Sequence, residues 1–379
     1  MSDVPSPPLL SVILPVYNAM PWLPIALRDM LQQQLPDERA LELLVAFDGG
    51  NDGSLPFLLA LIAELGGTRA SDEVFEVPLG APVFNPALVQ PLRASEASDH
   101  PTFSETVPDA TLNVAEVASA CRPEHRLRVL RYSDGANRGQ GSAMSLAMAH
   151  SQASLYVAQM ESDDVRGSAT AFARMITALE AQPDWDGVSC NVELVGADRP
   201  GMEGYVAWQN SLATPQAMAA GRFIEIPALH QTALFRREAV EAVLAPTKGN
   251  YRDGPYRGGQ DGGCSAVQSV AAAALDVPVD LWWWLAFFHA GKRCGKLGGQ
   301  PLFGWRQVRP RPLYVCYYDG GRSWAPAWMY YPCDPAYLTA SSTALSPPAL
   351  SPPALSPPCR LPGLLPRLLL DTSSLSPTS

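Results

Sequence analysis

The N-terminal part of the chain alternates between apolar runs and amphipathic segments. Residues 9–17 form a continuous apolar run, and residues 41–47 form a second. Apolar runs of this length between polar boundaries are typical of strands buried on both faces. Apolar residues at helical spacing follow the first run within 21–34, and a polar, glycine-rich turn after the second run opens a helix over 55–65. This order of strand, helix, strand and helix predicts a doubly wound, mostly parallel α/β sheet.

The same pattern resumes after a long interruption. Residues 67–126 are rich in Pro, Ala, Ser and Glu without strong periodicity, which predicts an insertion that is mostly loop or disordered. Beyond it, the pattern predicts strands over 128–132, 156–160 and 187–195, helices over 142–150 and 168–182, and a strand-to-helix unit over 232–244. The tail repeats ALSPP three times, which predicts disorder or local polyproline structure. We therefore predict an N-terminal arm over 1–8, one domain over 9–338 with the insertion, and a disordered tail over 339–379.

Composition narrows the class of protein. The net charge of −10 and a pI of about 5.0 argue against nucleic acid as a partner, because phosphate binding requires clustered Lys and Arg. The seven cysteines are scattered and form no CxxC pair, so neither a zinc site nor a disulfide framework is indicated. The N-terminus lacks the features of a secretory signal, and the apolar run over 281–290 is too short to span a bilayer. We expect a cytoplasmic protein without a membrane span.

The most informative segment runs from Tyr156 to Asp164, where an apolar strand ends in the carboxylates of Glu161, Asp163 and Asp164. Ligands of parallel α/β sheets bind at the carboxyl ends of the strands, where Asn18 and Asp48 also fall. A hard cation such as Mg²⁺ or Mn²⁺, shared between one or two carboxylates and substrate phosphates, would offset the charge at this end. A solvated acidic turn is the alternative interpretation.

The order of these motifs resembles that of family 2 glycosyltransferases, which have the GT-A fold. The resemblance rests on SVILPVYN followed by ELLVAFDGGNDGS, on NRGQGSAMSLAMAHSQASLYVAQMESDDV, and on ALHQTALFRREAV. It covers 9–66, 128–245 and, weakly, 250–310, and the beta-1,3-N-acetylglucosaminyltransferase-like group is the most similar. It implies inverting transfer of a sugar from a UDP-sugar, with N-acetylglucosamine favoured, to an unidentified hydroxyl acceptor, assisted by Mn²⁺ or Mg²⁺.

The resemblance also implies roles for single residues. Asp280 matches the catalytic base, Asp163 matches the metal-binding carboxylate with Asp164 beside it, and Asp48 matches the residue that pairs with uracil. Donor-binding positions are Pro15, Val16, Tyr17, Asn18, Asp48, Arg138, Glu161 and Ser162. His230 and Trp282 match weaker positions for an acceptor or a phosphate.

Departures from the family pattern keep other interpretations open. Met144 and Ser145 stand where the family has a basic residue and Asn, Glu161 replaces the first Asp of the metal motif, and Val279 replaces a Glu before the base. A nucleotide-sugar-binding protein of the same fold without turnover is therefore the alternative function. A helix N-cap is the alternative role for Asp280, and the two roles can coexist. A dinucleotide-dependent oxidoreductase is disfavoured by the acidic strand end.

Overall fold

The apolar runs of the sequence form the centre of a large sheet. β1 (Leu10–Val16) and β2 (Leu41–Phe47) pair in parallel along their whole length, and every one of their residues is buried. β6 (Tyr156–Gln159) joins the other side of β1, and β5 (Arg126–Arg131) joins the other side of β2, both in parallel. Continuous apolar sequence is required here because helices cover both faces of the sheet.

The computed structural model describes residues 7–20, 22–71, 73–77, 112–153, 155–195, 200–251 and 279–306, and two short strands beyond them. The chain divides into two units, Met1–Pro312 and Leu313–Ser379. In the second unit, β13 (Cys316–Tyr318) pairs antiparallel with β14 (Trp324–Pro326). Within the described ranges, none of the helices combines the length and the apolar character that a membrane crossing needs.

The first unit holds the remaining elements. Its other strands are β3 (Thr68–Arg69), β4 (Val74–Glu76), β7 (Val165–Arg166), β8 (Gly187–Cys190), β9 (Val192–Val195), β10 (Ala233–Arg236), β11 (Cys294–Leu297) and β12 (Phe303–Arg306). Its helices are α1 (Leu23–Leu31), α2 (Ser54–Glu64), α3 (Val114–Ser119), α4 (Gln140–His150), α5 (Ala171–Glu180), α6 (Pro200–Ser211), α7 (Pro215–Gly221), α8 (Arg237–Leu244) and α9 (Val279–His289). Short 3-10 turns cover Pro36–Glu38, His230–Thr232 and Ala245–Thr247.

These strands form two sheets among the described residues of the first unit. The large sheet has the order β11-β8-β10-β6-β1-β2-β5-β4-β3 and is mostly parallel, with β10 and β4 running against their neighbours. The small sheet has the order β7-β12-β9. The predicted α/β class with a mostly parallel sheet is therefore confirmed.

The structure differs from the sequence-based prediction in three details, and the first of these predictions, a single strand over 187–195, is wrong. Residues 187–195 form two strands rather than one, and these belong to different sheets. The predicted insertion contributes β3 and β4 to the sheet edge and α3, whose Val117 is fully buried. Helices α6 and α7 were not predicted. Residues 78–111 and the tail over 339–379 lie outside the described residues, so disorder there and the domain end at 338 stay predictions.

A buried aspartate and a buried arginine lie where α1 meets β7. The backbone N–H of Arg166 donates to the Asp29 carboxylate, and the Arg166 guanidinium lies 4.5 Å from the ring centre of Phe172. Burial raises the pKa of Asp29 to about 7, although the hydrogen bond from Arg166 and the amide of Gln32 act to lower it. Burial likewise lowers the pKa of Arg166, while Cys190 and Asp29 act to raise it.

Asp29→Asn should therefore change how stability depends on pH. A folded-state pKa raised to about 7 means that the folded chain binds more protons than the unfolded chain above the ordinary pKa of about 4. The free energy of unfolding of the wild type should accordingly fall as the pH rises from about 4 to about 7. The variant lacks this titration, so its stability relative to the wild type should increase across that window. Urea unfolding at both ends of the window tests this, and an equal difference at both ends would contradict it.

Candidate functional site

The carboxyl ends of four parallel strands meet at one edge of the large sheet. β5, β2, β1 and β6 are consecutive neighbours there, and the loops that follow them carry the polar residues singled out from the sequence. β10 runs antiparallel to β6, with Leu234 opposite Ala158 and Arg236 opposite Tyr156. The start of β10, and hence the His230–Thr232 turn that precedes it, therefore lies at the same edge as the acidic loop after β6.

The loops after β1 and β2 are held together by hydrogen bonds. The amide of Asp48 donates to the Val16 carbonyl at 2.8 Å, and the amide of Asn51 donates to Asn18 Oδ1 at 3.0 Å. Asn18 has a positive φ of 47°. Gly50 has a φ of 105°, and a Cβ there would lie 2.4 Å from Asn18 Oδ1, so the glycine is needed for this approach. Asn18 is thus a structural link as well as a strand-end residue.

Asp48 connects this pair of loops to the loop after β5. Its side chain is buried, and its two oxygens accept the backbone N–H groups of Arg138 at 2.6 Å and Gly139 at 2.8 Å. Gly49 permits the contact, because its φ is 79° and a Cβ would lie 3.0 Å from the Gly135 carbonyl. A carboxylate oxygen can accept more than one hydrogen bond, so the predicted contact with uracil stays a prediction.

Asp48→Ala should destabilise the chain. The backbone N–H of Arg138 would lose its acceptor, and that of Gly139 would keep only the longer bond to Asn137 Oδ1 at 3.2 Å. A buried donor left without an acceptor costs about 1–3 kcal/mol. Asp134→Ala is the matched control, because Asp134 is an exposed carboxylate of the same loop that bonds Ala136 and the Arg138 side chain. Urea unfolding should show a much larger loss for Asp48→Ala. Equal losses would mean that Asp48 does not hold the loop.

The other predicted donor residues differ in their exposure. Tyr17 is 42% exposed, whereas Pro15 and Val16 are buried and can reach a ligand only through their backbone. The exposed Arg138 side chain pairs with Asp134 at 2.9 Å and lies 4.3 Å from the ring centre of Tyr132. An aromatic ring and a cation therefore border the strand ends on two sides.

The three carboxylates of the acidic loop after β6 differ in their burial and in their hydrogen-bond partners. Glu161 Oε1 accepts side-chain amides from Gln140 at 2.5 Å and Gln159 at 2.9 Å. Ser162 and Asp163 are half-buried, and Asp164 is only 1% exposed. Within the described ranges, no group of three or more His, Cys, Asp and Glu side chains could hold a metal ion by itself. The loop fits a cation that a single carboxylate shares with phosphate oxygens, which is how Mg²⁺ is often bound.

Asp280 lies in the first turn of α9, beside the His230–Thr232 turn. Its Oδ1 is 3.9 Å from His230 Nδ1. Burial lowers the pKa of His230 to about 3, so the imidazole is neutral at physiological pH and the contact is not an ion pair. His230 is 2% exposed and stacks on Trp283 with ring centres 4.9 Å apart. His230 is therefore enclosed by protein beside Asp280, and its contact with an acceptor or a phosphate stays a prediction.

A second carboxylate lies on this side of the site. Burial raises the pKa of Tyr205, and the negative charges of Glu225 and Asp280 raise it further. Burial raises the pKa of Glu225 as well, while the Ile226 amide acts to lower it. Tyr205 stacks on Trp208 with ring centres 5.8 Å apart. Trp282, which was predicted to contact an acceptor or a phosphate, lies on α9 and is half-buried.

Sequence reasoning missed the glutamines that hold the acidic loop. Gln140 and Gln159 bond Glu161, and Gln231 bonds Asp164. A signal was present for Gln159, because it is the one polar residue within the apolar run of β6. Gln140 and Gln231 carry no charge and match no motif, so only the structure shows their part.

No family model and no curated protein sequence matches the chain. Among solved structures, S. aureus TarS is similar with a TM-score of 0.45 and 13% identity over 79% of this chain and 36% of that one. TarS 1–349 in complex with UDP-GlcNAc gives a TM-score of 0.45 and 12% identity over 82% of this chain and 61% of that one. The mannosyltransferase PcManGT from Pyrobaculum calidifontis, in complex with GDP-Man and Mn²⁺, gives 0.43 and 16% over 82% and 59%. The chain thus spans about a third to three fifths of the length of these proteins. The TM-scores, all below 0.5, are too low to carry an argument about function.

Proposed function

We propose that this chain is a GT-A-type inverting glycosyltransferase that transfers a sugar, N-acetylglucosamine by preference, from a UDP-sugar to an acceptor hydroxyl. One observation carries the proposal. The ends of four parallel strands bring together an exposed aromatic side chain, an ordered loop held by Asp48, and an acidic loop with the half-exposed Asp163. An aromatic face, backbone groups and a carboxylate for a metal are the groups that a nucleoside diphosphate requires.

The nucleotide would lie between the loops after β1, β2 and β5. Tyr17 offers an aromatic face to the base, and Asp48 offers acceptor capacity to the uracil N–H. The Arg138 side chain, which is exposed on the adjoining loop, would face the diphosphate. Arg138 already pairs with Asp134, so binding of the diphosphate would exchange one anion for another.

Asp163 would hold the divalent metal, Mn²⁺ or Mg²⁺, together with the two phosphates. Such an ion offsets the charge that develops on a departing diphosphate. Asp280 would take the proton of the acceptor hydroxyl as its oxygen attacks the anomeric carbon and the bond from that carbon to the diphosphate oxygen breaks. Attack from the opposite side inverts the configuration. A positioned base of this kind is required because an alcohol is a weak nucleophile.

Calorimetry with UDP and Mn²⁺ tests the donor half of the proposal. Because the described residues offer no complete metal site, Mn²⁺ alone should bind weakly, and UDP should bind much more tightly when Mn²⁺ is present. GDP and ADP are the matched control ligands, since they share the diphosphate and differ in the base. Equal UDP affinity with and without the metal, or equal affinity for the three nucleotides, would contradict the proposal.

A binding protein without turnover is the second candidate, and the burial of Met144 favours it. Met144 is fully buried in the core on α4, so this helix presents no cation to the donor at that position. Ser145 instead donates to the Gly141 carbonyl and accepts the amide of Tyr251. Release of UDP from a panel of UDP-sugars separates the two candidates. A binding protein would retain the sugar-nucleotide intact under conditions in which a transferase hydrolyses it slowly.

A further inference from the structure

The two adjacent carboxylates of the acidic loop have opposite environments. Asp164 is 1% exposed, and its Oδ2 accepts the side-chain amide of Gln231 at 3.1 Å. Its backbone N–H points to the Glu161 carbonyl at 3.4 Å, which closes the loop as a tight turn. Asp163, one residue earlier, is half-exposed. The turn therefore directs Asp164 into the protein and leaves Asp163 at the surface.

Gln231 is itself fixed from the opposite side. Its backbone carbonyl accepts the Arg166 guanidinium at 2.5 Å, and its side chain is 2% exposed. Arg166 lies between the rings of Phe172 and Phe303, at 4.5 and 5.3 Å from their centres. The positive charge of Arg166 also interacts with the negative charge of Asp164, which lies two residues earlier in the chain. A buried amide and a buried guanidinium thus hold one carboxylate.

The connection continues to the acceptor side. Gln231 is the middle residue of the His230–Thr232 turn, and His230 Nδ1 lies 3.9 Å from Asp280 Oδ1. A single three-residue turn therefore contacts the acidic loop through the side chain of Gln231 and approaches the candidate base through the side chain of His230, the residue before it.

We infer that Asp164 is an anchoring carboxylate rather than a metal ligand, and that Gln231 is the positioning residue that holds the acidic loop so that Asp163 alone presents its carboxylate to the metal and the diphosphate. This inference rests on the proposed function, which supplies the metal and the nucleotide. It differs from the sequence-based expectation that Asp163 and Asp164 ligate the ion together, and the experiment below distinguishes the two.

The test compares two isosteric changes at neighbouring positions. Asp163→Asn removes the ligand charge and should lower Mn²⁺-dependent UDP affinity by at least about tenfold. Asp164→Asn keeps an oxygen that accepts the Gln231 amide, so affinity should stay within about threefold of the wild type. The readout is the ratio of UDP affinities with and without Mn²⁺ from calorimetry, because a merely structural change lowers the melting temperature without changing this ratio.

Gln231→Leu removes the anchor without touching the ligand. Loss of a residue that orients a metal ligand typically costs about 10–100-fold in metal affinity, and we expect the affinity ratio to fall by about this factor. Gln209→Leu is the matched control. Gln209 is equally buried, but its amide bonds the Tyr205 hydroxyl and the Ile226 carbonyl, away from the acidic loop. Its change should leave the ratio unaltered.

A reciprocal exchange keeps the test decisive if Gln231→Leu does not fold. D164N combined with Q231E exchanges donor and acceptor, so the hydrogen bond is re-formed with the same total charge. Q231E alone sets two carboxylates against each other and should lower both the melting temperature and the ratio, and the double variant should recover both.

Each outcome has one meaning. Wild-type protein without metal-dependent UDP binding overturns the proposed function and this inference with it. Metal-dependent binding in the wild type that D164N abolishes as fully as D163N overturns the inference alone, because Asp164 is then a ligand. If the double variant recovers the melting temperature but not the affinity ratio, the inference alone is likewise overturned.

Discussion

Asp280→Asn should lower the rate of sugar transfer by about 10²–10⁴-fold, which is the usual contribution of a positioned general base. The amide keeps the size of the side chain but cannot accept the proton of the acceptor hydroxyl. UDP-sugar affinity should change little, because the loops that would bind the nucleotide follow β1, β2 and β5, whereas Asp280 lies in the first turn of α9. Steady-state transfer rates, with UDP-sugar affinity from calorimetry, check both parts of the prediction.

Glu225→Gln is the control for Asp280→Asn. Glu225 is the other carboxylate whose charge acts on Tyr205, and its pKa is raised by burial. If Glu225→Gln abolishes transfer while Asp280→Asn does not, the base is Glu225. If Asp280→Asn instead unfolds the chain, the structural role of Asp280 is the larger one; α9 begins at Val279, so this role belongs to the first turn of the helix and not to the N-cap position. The alternative bases Asp253 and Asp261 lie outside the described residues.

Arg166→Met should lower the free energy of unfolding by about 1–3 kcal/mol, because the buried Gln231 carbonyl would lose the guanidinium that donates to it. Asp29 would also lose a nearby positive charge. Methionine fills much of the same volume between Phe172 and Phe303, so the loss comes mainly from the charge. The Asp29 carboxylate, which accepts the Arg166 backbone N–H, would remain buried without the guanidinium. Urea unfolding above pH 7 is the measurement, because Asp29 is ionised there.

Two further variants identify the cause of that loss. Adding Asp29→Asn to Arg166→Met should recover part of the stability, because neither charge then remains buried. Glu241→Gln breaks the ion pair between Arg237 and Glu241 in α8. In this pair Glu241 Oε1 lies 2.8 Å from Arg237 Nε, and the Glu241 side chain is largely in solvent. An exposed helical pair contributes only about 0.3–0.5 kcal/mol. A loss from Glu241→Gln as large as that from Arg166→Met would contradict the argument from burial.

The centre of the fold could be predicted from sequence because burial on both faces leaves mainly apolar residues, with Ser11 and Glu42 as the buried polar exceptions. The run over Leu41–Phe47 forms a strand with those same bounds. The break at Asn191 could not be predicted, since β8 and β9 flank it directly and together have the pattern of one strand. Their assignment to two sheets depends on strands that arrive about a hundred residues later, β11 and β12.

The candidate site divides in the same way. Position in the chain placed Asp48 and Asp163 at strand ends, because parallel strands all deliver their carboxyl ends to one edge. The direction of each side chain was not accessible from sequence. Asp163 and Asp164 are identical in chemistry and adjacent, yet the partner that distinguishes them, Gln231, is 67 residues from Asp164 in the sequence. His230 was predicted to contact an acceptor or a phosphate, and the structure shows its ring packed against Trp283.

The passage of one chain segment through both sheets has a consequence for cooperativity. β8 and β9 are separated by Asn191 alone, and their parallel partners β11 and β12 follow one another in the same order. Opening the small sheet would pull on β9 and hence on β8, which lies inside the large one. The two sheets therefore share a single local unfolding unit, whose slowest amide exchange would include residues of both. Since β7 pairs with β12, the acidic loop that precedes β7 is tied at its far end to that same unit.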